Sequence, residues 1–289
     1  MTGKRVRCLA VTGPTATGKT ALAVDLARSF NGEVVSVDSR QVYRGMDIGS
    51  GKDREEYGDT PVHLLDIADP ASEVYNLGRF CRDAFAAISD IAARGRLPVL
   101  CGGTALYLAA LLCDYRLPGG ELPPARDLHD RRLRRDPALP PSFEPPFKLE
   151  TLVLGVYYPR REVRERIAQR LDARLAAGLP EEVAQLHRAG VSWEQLEFFG
   201  LEYREVARYL RGECDFSAMR EMLLNRIRQF AKRQDIFFRK LEREGVAIHW
   251  IERGDREQAK QLTGDFLSGK ALPAPVFRLC DHRNPPSAD

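Results

Sequence analysis

A chain of 289 residues, 44% apolar and 29% charged, has room for one large domain or two small ones and the composition of a globular protein. Its net charge of +3 excludes a strong global field toward nucleic acid. Any such contact must then come from local basic clusters, here residues 126–135 and 220–243. No apolar run approaches the roughly 18 residues that span a bilayer, and residues 1–7 lack the pattern of a secretory signal. The six cysteines form no C-x-x-C pair and have no histidine at zinc-like spacing. Cys8, Cys101 and Cys113 lie in apolar runs and read as reduced, buried thiols, which fits a cytoplasmic protein with no membrane partner.

Residues 5–11 read as a strand, followed by a Gly-rich turn and a helix over 19–30. Residues 33–37 are a second strand ending at Asp38, and 62–67 a third. Helical periodicity over 75–93 stops at Gly95, 97–101 is a strand bounded by Gly102 and Gly103, and 104–112 is a helix. Residues 117–147 hold eight prolines and read as a surface insertion in which only 125–135 suit a helix. A buried strand follows at 152–156, then helices at 160–177, 180–189, 203–211 and 217–244. The β-prone run 246–251 is expected to return to the sheet, and 284–289 to be disordered. Strands alternating with helices imply a mostly parallel sheet covered on both faces.

The strongest motif is Gly13-Pro14-Thr15-Ala16-Thr17-Gly18-Lys19-Thr20, which matches G-x-x-x-x-G-K-[ST] between a strand and a helix. Loop amides and the helix N-terminus face an anion there, Lys19 neutralises the outer phosphate, and the Thr20 hydroxyl is placed to hold Mg²⁺. The fold expected is therefore α/β, a P-loop doubly wound parallel sheet with an added helical lobe. Its divisions are a P-loop core (1–116), a Pro-rich insertion (117–150), a helical lobe returning to the core (151–252) and a C-terminal tail (253–289). A P-loop alone does not name a reaction, and phosphoryl transfer by a kinase or NTPase is the default rival.

Three further segments bear on the choice. The run 38–52, DSRQVYRGMDIGSGK, puts Asp38 at the carboxyl edge of the second strand. In isolation such an Asp is more often a helix cap or a group that binds the waters around Mg²⁺ than a base. Gly102-Gly103-Thr104-Ala105-Leu106-Tyr107 also opens a helix at a strand end, and Thr104 serves either as N-cap or as donor to a leaving-group oxygen. Residues 228–239, RQFAKRQDIFFR, alternate basic and aromatic side chains. Phe230, Phe237 and Phe238 can equally form a core face with a wet basic face behind it.

Together these segments resemble the tRNA dimethylallyltransferases. HLLDI at 63–67, the R-I-x-x-R pattern within 164–183 and GLEYRE at 200–205 add to the likeness, which runs from about residue 6 to 251 except for 114–150. The resemblance implies transfer of a dimethylallyl group from its diphosphate to N6 of an adenosine beside the anticodon. The partners it implies are tRNA, through its anticodon stem-loop, and dimethylallyl diphosphate, with Mg²⁺ as cofactor and no protein partner inferred. Asp38 would be the general base. Lys19, Thr104 and Arg166 would stabilise the departing diphosphate, with residues 13–20 cradling it. Asp38, Ser39, Arg40, Gln41 and Thr104 would meet the flipped base and its neighbours. Tyr203, Arg204, Arg228 and Arg233 would contact the RNA. A transferase acting on a free adenine nucleotide is the runner-up. The chain departs from the family pattern at Glu202, where Gly is usual, and at Phe237, where Trp is usual. It also lacks the longer helical insertion with Asn-Asp and Arg-x-x-Arg-Ala-Leu-Glu segments, so RNA grip is expected from the helices after Arg160.

Overall fold

The computed structural model describes residues 5–113 and 145–281. Strands β1 (Arg5–Thr12), β2 (Gly32–Ser36), β3 (Val62–His63), β4 (Leu97–Cys101), β5 (Lys148–Tyr157) and β6 (Ile248–Glu252) form one sheet in the order β3-β2-β4-β1-β5-β6. Every pairing is parallel. β2 and β4 are buried throughout, because parallel strands with helices on both faces have no wet side.

Two layers of helix cover the sheet. On one face, α1 (Lys19–Ser29) sets Leu22, Leu26 and Ala27 against Leu9, Val11, Val34 and Val99. α10 (Arg256–Leu267) adds Leu262 and Phe266 to the same cluster. The other face receives α3 (Leu77–Ala93) and α4 (Ala105–Leu112) through Phe80, Ile88, Leu108 and Leu111. Asn76 starts α3 by accepting from the Arg79 amide at 2.8 Å, a cap whose loss costs about 1 kcal/mol. A short helix, α2 (Arg54–Tyr57), buries Tyr57 against α1.

Five helices make the lobe: α5 (Arg160–Ala176), α6 (Leu179–Arg188), α7 (Trp193–Phe199), α8 (Leu201–Leu210) and α9 (Phe216–Arg243). Ser192 and Gln195 close a capping box on α7. α9 buries Met219, Leu223, Ile227, Ala231, Phe238 and Leu241 along one stripe, and Gln234 interrupts that stripe. At its end the buried Glu242 carboxylate accepts from the Trp250 indole of β6 at 2.8 Å and from the Leu279 and Cys280 amides. The lobe is thus tied back to the sheet edge.

The expected elements form with four corrections. The third strand stops at His63 because Leu64 and Asp66 take positive φ. The fifth is longer, pairing with β1 from Lys148 onward. α2, α7 and α10 were not expected; the last lies in what reads as a C-terminal tail, and it packs on α1 through the Ala259, Leu262 and Phe266 face. Cys113 is only partly buried. The expectations for 125–135 and 284–289, and for all of the insertion before residue 145, lie outside the described residues.

Candidate functional site: a phosphate loop closed by the helical lobe

Three loops leave the carboxyl ends of β1, β4 and β2 side by side, as the registers Val11↔Cys101 and Ser36↔Cys101 require. The first, residues 13–18, wraps tightly. Gly18 is left-handed (φ 79°) and caps α1, while the Pro14 carbonyl accepts from both Thr17 Oγ1 and Lys19 Nζ at 2.8 Å. In the second, Gly103 passes so close to α9 that a Cβ there would sit 2.5 Å from Gln234 Nε2. In the third, Asp38 Oδ1 accepts from the Arg40 amide at 2.8 Å, which turns the chain and leaves its other oxygen for the site. Thr104 joins the last two loops: its hydroxyl accepts from the Ser39 amide at 3.1 Å and does not cap α4. Its proton is therefore available to an acceptor in the site.

The lobe closes the phosphate loop from above with α5 and α9. Arg166 Nε donates to the Ala16 carbonyl at 2.7 Å, and its guanidinium lies 4.6 Å from the Tyr158 ring centre. One turn on, Arg170 Nη2 donates to Thr15 Oγ1. Gln234 bridges two loops: its Oε1 accepts from the Thr15 amide and its Nε2 donates to the Gly103 carbonyl, each at 2.9 Å. Burial, with Arg170 adding to it, pushes the Lys19 ammonium down to about 8, against the pull of Cys101, Asp38 and Asp53. Asp38 and Lys19 therefore lie within electrostatic reach of one another. The side-chain cluster suits a polyanion: its cations are partly desolvated and converge on the phosphate loop. A groove of about 590 Å³ lined by Leu111, Leu149, Val153 and Val246 borders the other half of β5 and is no part of this site.

Comparison with known proteins agrees. The IPP transferase family model matches residues 41–138 and 128–241, two stretches that meet inside the Pro-rich segment, and the isopentenyl transferase model matches 6–60. The tRNA dimethylallyltransferase 1 of Geotalea uraniireducens is 42% identical, over 92% of this chain and 98% of its own. The chain belongs to the tRNA dimethylallyltransferase family. Among solved structures, the tRNA isopentenylpyrophosphate transferase of Bacillus halodurans aligns with a TM-score of 0.73 at 30% identity, over 92% of this chain and 96% of that one. A eukaryotic dimethylallyltransferase described as acting on tRNA aligns at 0.74 and 25% identity, over 93% and 81%.

Within this member of the tRNA dimethylallyltransferase family, the structure gathers Lys19, Asp38, Thr104 and Arg166 around the phosphate loop. Two expected RNA contacts are buried and have partners within the protein. Tyr203 is only 1% exposed, and its hydroxyl donates to Glu182 Oε1 at 3.0 Å. Gln41 is buried, accepts from Ser36 Oγ and donates to the Gly51 carbonyl, so it shapes the loop. Arg40 is partly exposed but leans on the lobe, donating to the Phe199 carbonyl at 2.6 Å. Arg204 is partly exposed beside Glu205, Arg228 is half-buried and Arg233 is exposed.

Sequence reasoning missed Arg170, Gln234 and Glu182. The Glu182 carboxylate accepts from the Asp47, Ile48 and Gly49 amides at 2.6–3.0 Å and clips the lobe to the loop after Asp38. The signal for Arg170 was its spacing, four residues after Arg166 on the same helix face. For Gln234 it was a polar residue inside an apolar stripe. Lys52, also within the 38–52 run, is buried and pairs with Asp47 at 2.8 Å and Asp66 at 2.5 Å, so the HLLDI segment serves that loop's shape.

Among the described residues no group of three His, Cys, Asp or Glu side chains is placed to hold a metal ion. The donor set nevertheless suits Mg²⁺ brought with a diphosphate. That ion keeps several waters and takes phosphate oxygens, and the partly exposed Thr20 beside Lys19 would supply a hydroxyl from the protein.

Proposed function

We propose that this site transfers a dimethylallyl group from dimethylallyl diphosphate to N6 of a tRNA adenosine next to the anticodon. The observation that carries the reading is the meeting of a phosphate loop, a strand-end carboxylate and a free hydroxyl proton at three adjacent strand ends. The amides of residues 13–18, with Lys19 and Arg166, hold the diphosphate. Thr20 would hold Mg²⁺, which supplies charge neutralisation on the phosphates. Adenine N6 is a weak nucleophile, since its lone pair is shared with the ring. As N6 bonds to the allylic carbon, the carbon–oxygen bond to the diphosphate breaks and Asp38 accepts the N6 proton. Thr104 donates to the leaving oxygen, and the loop amides, Lys19 and Arg166 stabilise the charge that develops there.

The acceptor base must leave its stack to reach Asp38, since the loops lie beneath the lobe. Ser39 and Arg40 border the base, and Arg204, Arg228 and Arg233 meet the RNA backbone. The reaction belongs in the cytoplasm. Chromatography of products from dimethylallyl diphosphate with tRNA, AMP or ATP tests the acceptor. Prenylated tRNA alone is expected. Efficient turnover of AMP with none on an anticodon stem-loop would overturn it, and conversion of ATP to ADP would restore the kinase or NTPase reading.

A further inference from the structure

Helix α5 lines up Arg166, Arg170 and Arg174 at intervals of four residues, on one face. The first two hold the phosphate loop through Ala16 and Thr15. The third donates to the Gly49 carbonyl at 3.3 Å, with a side chain 11% exposed. With Lys19 these make four cations in a poorly solvated row. Arginine does not shed its proton at ordinary pH, so their mutual repulsion stays in the folded protein. Its imprint is on Arg170, which burial, then Arg174, push down to about 10 while Glu202 pulls the other way.

One buried carboxylate meets this row. Glu202, in the first turn of α8, is 8% exposed and sets Oε1 3.2 Å from Arg174 Nη1. Asp53 and Glu56, the other acids acting on Arg170, stand in solvent-exposed residues. A buried carboxylate at that point costs desolvation and gains only by offsetting the arginines. A diphosphate in the loop offsets the same arginines from the other side. The two anions therefore share one set of cations, and each weakens the row's attraction for the other.

We infer that Glu202 is an internal counter-anion of the diphosphate site, positioned through Arg174, that stabilises the cationic row and limits how tightly the site retains pyrophosphate. The inference rests on the reading of residues 13–20 as a diphosphate site. Its consequence is counterintuitive for a buried ion-pair residue: removing the carboxylate tightens ligand binding while it loosens the fold.

Calorimetry with pyrophosphate and Mg²⁺ on the full chain tests it. Glu202→Gln keeps the shape and drops the charge, and it should bind pyrophosphate about 3–10-fold tighter, the worth of one charge acting across a partly wet interior. Its melting temperature should fall without ligand and recover most of the gap at saturating pyrophosphate. Glu202→Asp, with the charge withdrawn by one methylene, should fall between. Adding Arg174→Gln to Glu202→Gln should return the affinity toward wild type, because the pair is then removed as a unit. A structural strut predicts the reverse for the single variant, equal or weaker binding, and that result overturns the inference. Should Glu202→Gln not fold, Glu202→Asp decides, since tighter binding supports the inference and unchanged or weaker binding ends it. Failure of the wild-type chain to bind pyrophosphate would instead bring down the diphosphate reading, and the counter-anion with it.

Discussion

The site has two walls made by different means. The sheet wall rests on the backbone: three loops continue buried strands, and apart from the Thr104–Ser39 bond the bonds named within them are local, as from Lys19 and Thr17 to Pro14 or from the Arg40 amide to Asp38. The lobe wall is side chain: Arg166 reaches Ala16 across 150 residues, and Gln234 reaches Thr15 across 219. A backbone wall is set once its strands pair, so it depends on few side chains beyond those that do chemistry. A side-chain wall concentrates its geometry in a few buried groups, each with several partners. The two walls should accordingly fail in different ways when altered.

The largest effect belongs to the sheet wall's chemistry. Asp38→Ala should cut turnover by about 10²–10⁴ while leaving pyrophosphate affinity nearly intact, because a base acts in the transition state. Lys19→Ala should weaken both. Single-turnover rates alongside calorimetry separate these, and normal turnover by Asp38→Ala would make that carboxylate a turn-former only. On the lobe wall, Gln234→Leu leaves the shape and removes both bonds. A drop of about 10–100-fold in kcat is expected from loops misplaced by a fraction of an ångström, and an unchanged kcat would mean that the sheet wall stands alone.

Glu182→Ala should act on folding first. It orphans three amides and the Tyr203 hydroxyl, which predicts a loss of about 2–4 kcal/mol in urea unfolding. A loss below 0.5 kcal/mol would show water replacing the clip. Reversing charge at Arg228 and Arg233 should raise the KM for tRNA several-fold, more at low salt, and barely alter that for dimethylallyl diphosphate. An unchanged salt dependence would move the RNA path off α9.

The titration of Lys19 adds a test by pH. Its folded pKa, about 8, lies below the ordinary 10.5, so it is charged below pH 8 and neutral above. Pyrophosphate affinity should fall as pH rises through 8. Between 8 and 10.5 the unfolded chain holds the proton more strongly, so stability without ligand should rise over that window. Lys19→Met should remove both trends, and their persistence would assign them to another group.

The sheet wall was legible because its motifs are contiguous. G-x-x-x-x-G-K-[ST], a strand-end Asp and Gly-Gly-Thr each announce a loop whose conformation their own residues impose, and the alternation of strands and helices gave the parallel sheet. The lobe wall was legible only in part. Arg166 was reachable through R-I-x-x-R, but Gln234 and Glu182 act on loops 131 or more residues away, and helical periodicity says which face is buried without saying against what. Tyr203 and Gln41 were hard to place for the same reason: polar residues in a functional motif read as ligand contacts, and here the protein's own backbone and side chains are their partners. α10 was missed because a short amphipathic segment after the last motif carries no chemistry to draw attention to it.

The amide of Gln234 has a consequence for how the enzyme comes into being. It closes a pair of loops whose residues are synthesised more than 130 positions earlier, and β6 joins the sheet later still. The nascent phosphate loop can fold and attract anions long before α9 leaves the ribosome, yet it lacks the contact that sets its distance from Thr104. A chain translated short of residue 234 therefore lacks the bridge between the two loops. The long sequence separation that slows folding also serves as a timing mark.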